Sequence, residues 1–257
     1  MNIDQHIAGF EKVDIDVIGR DRMFSNRKDL KYLIPIHLLP EILNQMHDDY
    51  LLMTVNGISL HDYRTYYYDT PDFQFYRDHH QGKQNRMKVR SRSYTDGQSF
   101  IEVKRKTNRS MTMKNRLPIL NDPEMNRISY GVLKELSLPE HLELDVQIFV
   151  GYKRLTFFSQ SYNEKVTIDL QLQYQREKAD HELSGLFIAE SKGSRQLHSR
   201  FNNLMRDHRI KQTSFSKYCY GVYQLVPTVK KNNFKPLQHK LEKLMHAHEL
   251  SSTDPEL

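Results

Sequence analysis

Polar and apolar positions alternate in this chain over long stretches, and the alternation predicts a sheet. In a strand, residues two apart share a face. Arg27, Asp29 and Lys31 fall on one face of such a segment, and Leu30, Tyr32 and Ile34 on the other. Arg86, Lys88, Arg90 and Arg92 repeat the habit, then Glu102, Lys104 and Lys106, then Lys114 and Arg116. Lys165, Thr167, Asp169, Gln171 and Gln173 oppose Val166, Ile168, Leu170 and Leu172. Further strands are predicted over 51–56 and 62–69, joined as a hairpin by Asn56-Gly57. Others are predicted over 142–150 and 152–160, bent at Gly151, and over Leu186–Lys192. Asp96-Gly97 is a tight turn that makes the first two basic strands antiparallel.

Helical spacing interrupts the strands. Pro35 and Pro40 open a helix to about Tyr50, with Leu39, Ile42, Leu43 and Met46 on its apolar side. Thr70-Pro71 caps a helix over Asp72–His80 that buries Phe73 and Tyr76, and Gly82 stops it. Asp122-Pro123-Glu124 opens another, lined by Met125, Ile128, Val132 and Leu136. Ser194 caps a helix to about Asp207, and Ser214 one through Tyr223. The predicted organisation is a lead-in over 1–23, a main domain over 24–225, and a basic linker, amphipathic helix Pro236–Leu250 and tail over 226–257. Eight or nine strands with one charged and one apolar face need cover on both sides. An α+β, mainly antiparallel architecture meets this: a closed β-tunnel of the eight-stranded type, charged inside, with helices packed outside.

Charge sharpens the picture. Lys83 to Arg116 holds eleven Lys or Arg against Asp96 and Glu102, a local +9 in a chain whose total is +6. Such a face repels itself unless a polyanion or interleaved carboxylates neutralise it. The polar composition, the single cysteine Cys219, and an N-terminus without a basic and apolar leader pattern suit a cytoplasmic protein. No apolar run reaches the ~20 residues of a membrane span. There is no Walker loop or Gly-rich nucleotide fingerprint, and the thirteen histidines show no zinc spacing. Nucleic acid is the competing polyanion, but the basic face carries no interleaved ring, Tyr94 being placed on the opposite side. On spacing alone, Arg86 to Arg92 could equally be a solvated edge or a salt-bridge ladder. Glu190 could be a partner for Lys192, and Glu102 and Asp169 charge-balancing carboxylates.

The ordered motifs RKDLKY, YYYDTPDFQFY, KVRSRSY, IEVKRK, KNR, GYKR, VTID, AESK and FSKY resemble the vacuolar transporter chaperone catalytic domain. That domain is one of the triphosphate tunnel metalloenzymes, or CYTH-like superfamily. The resemblance covers about residues 24–225. It implies an antiparallel β-tunnel with outer helices, and an activity that builds polyphosphate from the γ-phosphate of ATP. It also implies site roles. Lys31 is the tunnel-facing lysine of the first strand. Arg90 and Arg92 are paired on the nucleotide phosphates, with Lys104 and Lys114 on the next strands and Arg154 further on. Glu190 holds Mn²⁺ or Mg²⁺, and Lys217 lies near one mouth. Apart from the resemblance, Arg86, Lys88, Lys106 and Arg116 share the basic face and either contact the substrate or only set the field; Lys165 and Lys192 are further substrate contacts, and Asp29, Glu102 and Asp169 further carboxylates for the metal. Two positions depart from the family pattern: Asp29 stands for a glutamate, and Lys165 for an arginine, which replaces a bidentate fork with a point charge. Expected partners are ATP, polyphosphate or other triphosphates, and, because eukaryotic relatives act in a membrane complex, a membrane protein. Hydrolysis of tripolyphosphate or nucleoside triphosphates in the same tunnel, and polyphosphate binding without catalysis, stay open.

Overall fold

A computed structural model describes residues 2–18, 27–108, 112–119, 127–159, 161–194 and 199–252. In chain order the elements are α1 (Ile3–Ile7), β1 (Lys12–Asp14), α2 (Ile15–Ile18), β2 (Arg27–Pro35), α3 (Leu39–Met46), β3 (Leu51–Thr54), β4 (His61–Asp69) and α4 (Gln74–His80). Then come β5 (Arg86–Ser93), β6 (Ser99–Lys106), β7 (Thr112–Ile119), α5 (Tyr130–Glu135), β8 (Asp145–Ser159) and β9 (Glu164–Arg176). The chain continues with β10 (Ala179–Leu183), β11 (Leu186–Ser194), α6 (Arg200–Asp207), α7 (Lys217–Leu225) and α8 (Lys235–Ser252).

One curled sheet carries the molecule. Its main path runs β2-β11-β9-β8-β4-β5-β6-β7, with β1, β3 and β10 appended. Every junction along that path is antiparallel. The α+β, mainly antiparallel, eight-strand reading therefore holds. Ring closure by hydrogen bonds does not: among the described residues β2 and β7 end the path unpaired with each other. The curl still brings the two sides together, because the Lys31 and Asp29 charges of β2 act on Lys104 of β6.

The convex face is covered twice. Leu39, Ile42, Leu43 and Met46 of α3, with Phe201, Leu204 and Met205 of α6, pack on Tyr32, Ile34, Phe157, Val166, Ile168 and Phe187. Phe75 of α4 and Leu133 and Leu136 around α5 pack on Tyr68, Val89, Ile101 and Val103. The buried carboxylate Glu164 ties α6 down, accepting from Tyr50 Oη at 2.6 Å, from the Ser191 and Ser199 hydroxyls, and from the Phe201 N–H at 3.3 Å. The helix α7 goes to the other side. Tyr218, Cys219, Tyr220 and Val222 of α7 pack against Leu33, Tyr67, Ile148, Val150, Leu172, Tyr174 and Ile188, which fill one end of the concave face. Leu241 of α8 is buried in the same cluster, with Leu237, Leu244 and Met245 packed against it.

Several local expectations are corrected. Asn56 (φ 52°) and Gly57 (φ 76°) do make a turn, but β3 pairs with β1 and β8, not with β4. β8 is one fifteen-residue strand rather than two. The irregularity lies in its partner: between Gly151/Lys153 of β8 and Gln173/Leu170 of β9 the register slips, with Gln171 at φ 53°. This β-bulge adds a residue to β9. Thr167 and Asp169 thus share the concave face with Leu172 and Tyr174, while Gln171 and Gln173 are exposed. The helix α6 is capped by Ser199, not Ser194, and α7 by Ser216, not Ser214. α4 starts at Gln74, whose N–H is accepted by Thr70 Oγ1 at 2.9 Å. The predicted helix start at Asp122-Pro123-Glu124 lies outside the described residues.

Candidate functional site: a cationic tunnel

The register rows put the predicted residues together. Arg90, Glu102 and Arg116 form one row across β5, β6 and β7, and Lys88, Lys104 and Lys114 the next. Lys31 sits opposite Glu190, Asp29 opposite Lys192, and Arg154 opposite Asp169. Lys165 sits opposite Lys192. Alternation then points all of these into the concave face.

Three carboxylates organise the cations. Glu102, 1% exposed, takes Arg90 Nη2 at 2.6 Å on one oxygen and Lys114 on the other. Burial pushes its pKa up, but Arg90, Arg92 and Lys114 outweigh burial and hold it at about 2. Asp169, 3% exposed, receives a bidentate fork from Arg154, Nε at 2.5 Å and Nη2 at 2.8 Å, plus Lys217 Nζ at 2.5 Å. Burial opposes its charge, and Arg154 with Lys217 keeps it ionised far below the usual range. Glu190, 16% exposed, holds Lys31 at 2.6 Å and Lys192 at 3.4 Å. It too is held low against burial, by Lys192 and Lys31.

The remaining cations exceed these carboxylates. Lys88 donates to Ser216 Oγ at 2.8 Å, and burial pushes its pKa down. Lys104 is walled by protein around its charge, so burial and then the Lys31 charge lower its pKa. Arg92 is nearly sealed and lies over the Tyr63 ring at 5.2 Å and the Tyr94 ring at 6.0 Å. Tyr94 is therefore on the basic side, contrary to the sequence reading, because it keeps the parity of Arg92. Arg116 lies over Phe100 at 4.4 Å. Arg86 turns to the Lys83 carbonyl at 2.8 Å, and Lys106 is exposed at the strand end, so both belong to the rim. Arg105 lies off this face and donates to the Leu136 carbonyl at 3.1 Å beyond α5.

The VTC domain family matches residues 26–226 of this chain. The chain belongs to the VTC domain family. No curated protein matches it. Among solved structures, a putative adenylyl cyclase from Hippeastrum described as having a dominant triphosphatase activity aligns with TM-score 0.45 and 12% identity, over 79% of this chain and 98% of that one. A hypothetical protein aligns with TM-score 0.29 and 14% identity, over 70% and 81%.

Within this VTC domain, sequence reasoning missed the aromatic half of the lining. Tyr67, opposite Arg90 in register, stacks on Tyr218 with centroids 5.4 Å apart. Burial alone would raise its pKa, but Arg90, Arg92 and Lys217 bring it below the ordinary value. Tyr152 carries Lys217 over its ring at 4.6 Å and Arg154 at 5.3 Å. The parity of Tyr63, Thr65 and Tyr67 was the available signal. Asp69 of the same YYYD motif is a clamp: it accepts from the N–H groups of Thr70, Phe75 and Tyr76 at 2.7, 2.9 and 2.9 Å and from Tyr218 Oη at 2.5 Å, joining α4 to α7.

Among the described residues no three His, Cys, Asp or Glu converge on one point. A self-contained metal cage is thereby missing from those residues. A lone ionised carboxylate whose partners are lysines does fit Mg²⁺ or Mn²⁺, which take one or two carboxylates and complete their octahedron with water and substrate phosphates. Glu190, with Asp29 on the neighbouring strand, would be the residues to hold such an ion.

Proposed function

We propose that this VTC domain is a metal-dependent phosphotransferase that moves the γ-phosphoryl of ATP onto the end of a polyphosphate chain. The observation behind this reading is the surplus of inward cations over carboxylates in a curled antiparallel sheet of this family. A phosphate chain is the linear ligand whose charge density such a lining balances along its length. Arg90, Arg92, Lys104, Lys114 and Arg154 neutralise the triphosphate. Glu190, with Asp29 as its neighbour, would hold Mg²⁺ or Mn²⁺, which when bound would add to the charge neutralisation.

The chemistry asks for positioning and charge stabilisation. A terminal phosphate oxygen of the acceptor forms the new P–O bond, the β–γ bridging bond breaks, and ADP leaves. The acceptor oxygen is already ionised, so no general base is required. Fixed guanidinium forks stabilise the charge spread over the transferred group without reorganising. Arg154 is oriented for this by Asp169, and Arg90 by Glu102. Lys31, Lys192 and Lys217 line the path of chain or leaving group, with Lys88, Arg116 and Lys165 beyond them and Arg86 and Lys106 setting the field at the rim.

Incubation with ATP and Mn²⁺ tests the reading. Long phosphate chains establish the polymerase. Orthophosphate alone makes water the nucleophile and the domain a triphosphatase. Tight binding of tripolyphosphate without turnover under any divalent metal makes it a binding module. Among the described residues no helix is long and apolar enough to cross a membrane.

A further inference from the structure

A cavity of about 390 Å³ lies between α4, α7 and the start of α8, behind the tunnel rather than in it. Its wall includes His79, Ser216, Cys219, Tyr223, Phe234 and Gln238. Ser216 belongs to both spaces, since its hydroxyl lines the cavity and accepts from Lys88 Nζ of the tunnel at 2.8 Å. A volume of this size suits a small organic ligand, such sites running from about 300 Å³ upward.

The lining says what kind. His79 and Phe234 present rings at the same wall, with centroids 6.0 Å apart, and Tyr223 adds a third. His79 Nδ1 is buried without a hydrogen-bond partner among the described residues. Burial and the Lys88, Arg86 and Lys106 charges hold the imidazole neutral down to about 3. A buried ring nitrogen left without a partner costs stability that a ligand hydrogen bond would recover. Thr213, Ser214 and Gln238 offer further donors and acceptors on the wall. The charge is one-sided. Lys88, Arg86 and Lys106 stand close enough to act on His79, and Lys240 of the wall feels Lys211. Flat rings, amide and hydroxyl partners and a cationic end are the complement of a planar nitrogen heterocycle carrying an anionic group.

We propose that this cavity binds the nucleoside part of a nucleotide, with the phosphates directed toward Lys88 and the tunnel. The inference deepens the ATP-dependent reading above and rests on it. Ser216 would then link the two spaces, as cap of α7, partner of Lys88 and wall of the nucleoside pocket. The same chemistry serves a substrate nucleotide or a second, regulatory one. Stoichiometry separates them: one ATP per chain assigns base and triphosphate to one molecule, and two assign the cavity to an effector.

The test compares ATP with inorganic tripolyphosphate by titration calorimetry on the full chain. Two variants lie outside the phosphate-binding lining. Phe234→Ala removes a stacking ring, and Ser214→Trp fills the cavity from its exposed rim. Both are expected to weaken ATP binding about tenfold, the scale of losing one base–aromatic stack, and to leave tripolyphosphate binding within twofold of wild type. Unchanged tripolyphosphate binding also certifies the fold of each variant. Equal loss for both ligands, or no loss for ATP in the filled variant, overturns the nucleoside pocket. If the wild type binds tripolyphosphate but ATP no better, the pocket fails while the triphosphate reading stands. If it binds neither, the triphosphate reading fails first and the pocket with it.

Discussion

Asp169 and Glu190 lie on neighbouring strands of one concave face, and both are carboxylates kept ionised against burial by two cations. They are built differently. Asp169 is sealed and fully engaged, with a bidentate arginine on both oxygens and a lysine besides. Glu190 is more open and is held by two lysines, one at 2.6 Å and one at 3.4 Å. Lysine is a flexible point charge, whereas the arginine fork fixes geometry. The first arrangement fixes Arg154 in place. The second leaves a carboxylate which, on the proposed function, would trade a lysine for a divalent cation. Glu102 sides with Asp169: it is buried, and it orients Arg90.

The largest expected effect comes from breaking the sealed node. Asp169→Ala leaves Arg154 and Lys217 facing each other without a counter-charge, and should cost about 3–5 kcal/mol of folding stability, read by urea denaturation. A loss below 1 kcal/mol would remove the distinction between the two carboxylates.

Next is the open node. Glu190→Ala should reduce Mn²⁺-dependent turnover of ATP by about 100-fold or more, and destabilise the fold less than Asp169→Ala because its lysine partners are 31% and 24% exposed. Full activity in this variant would sink the metal assignment.

Acid sharpens the comparison differently. Glu102, Asp169 and Glu190 all have folded-state pKa values below their ordinary ones. Their stabilisation is therefore complete above the unfolded value, and it is lost as pH falls through the folded one. For Glu102 that window runs from 4.5 down to about 2. Stability measured by denaturant should be flat above pH 5 and decline below it, and Glu102→Gln should flatten the decline. An unchanged slope in that variant would mean that the carboxylate is not coupled to folding. The smallest effect is Lys165→Arg, which restores a fork and should tighten tripolyphosphate binding on the order of a few-fold.

The charged rows were legible because parity in a strand is strict, and the order of motifs then named their family. The metal role of Glu190 came from that resemblance and not from its spacing, which fits a partner for Lys192 equally well. What escaped depended on partners distant in sequence. Asn56-Gly57 made its turn, yet Leu51 and Leu52 pair with Phe158 and Phe157, a hundred residues on. Nothing local in KYCYGVYQL says that this helix enters the concave side. The reason is visible only in the assembled sheet, where a Cβ on Gly221 would lie 2.8 Å from Ile148 and 2.9 Å from Tyr174. Ser199 and Ser216 won the caps over Ser194 and Ser214 because the strand and the loop before them run longer than local pattern suggests.

The extra residue at Gln171 has a consequence for solvent. Upstream of it, β9 turns Thr167 and Asp169 toward the lumen; downstream it turns Leu172 and Tyr174 the same way. A single strand thus serves as shoreline, wet along one half and dry along the other. Were Gln171 held in the regular pleat instead of bulged, Gln173 would face α7 and Tyr174 would face outward, since a one-residue slip exchanges the faces of everything beyond it. The position of the tunnel's floor is therefore written in the length of one strand relative to its neighbour, independent of any charge that lines it.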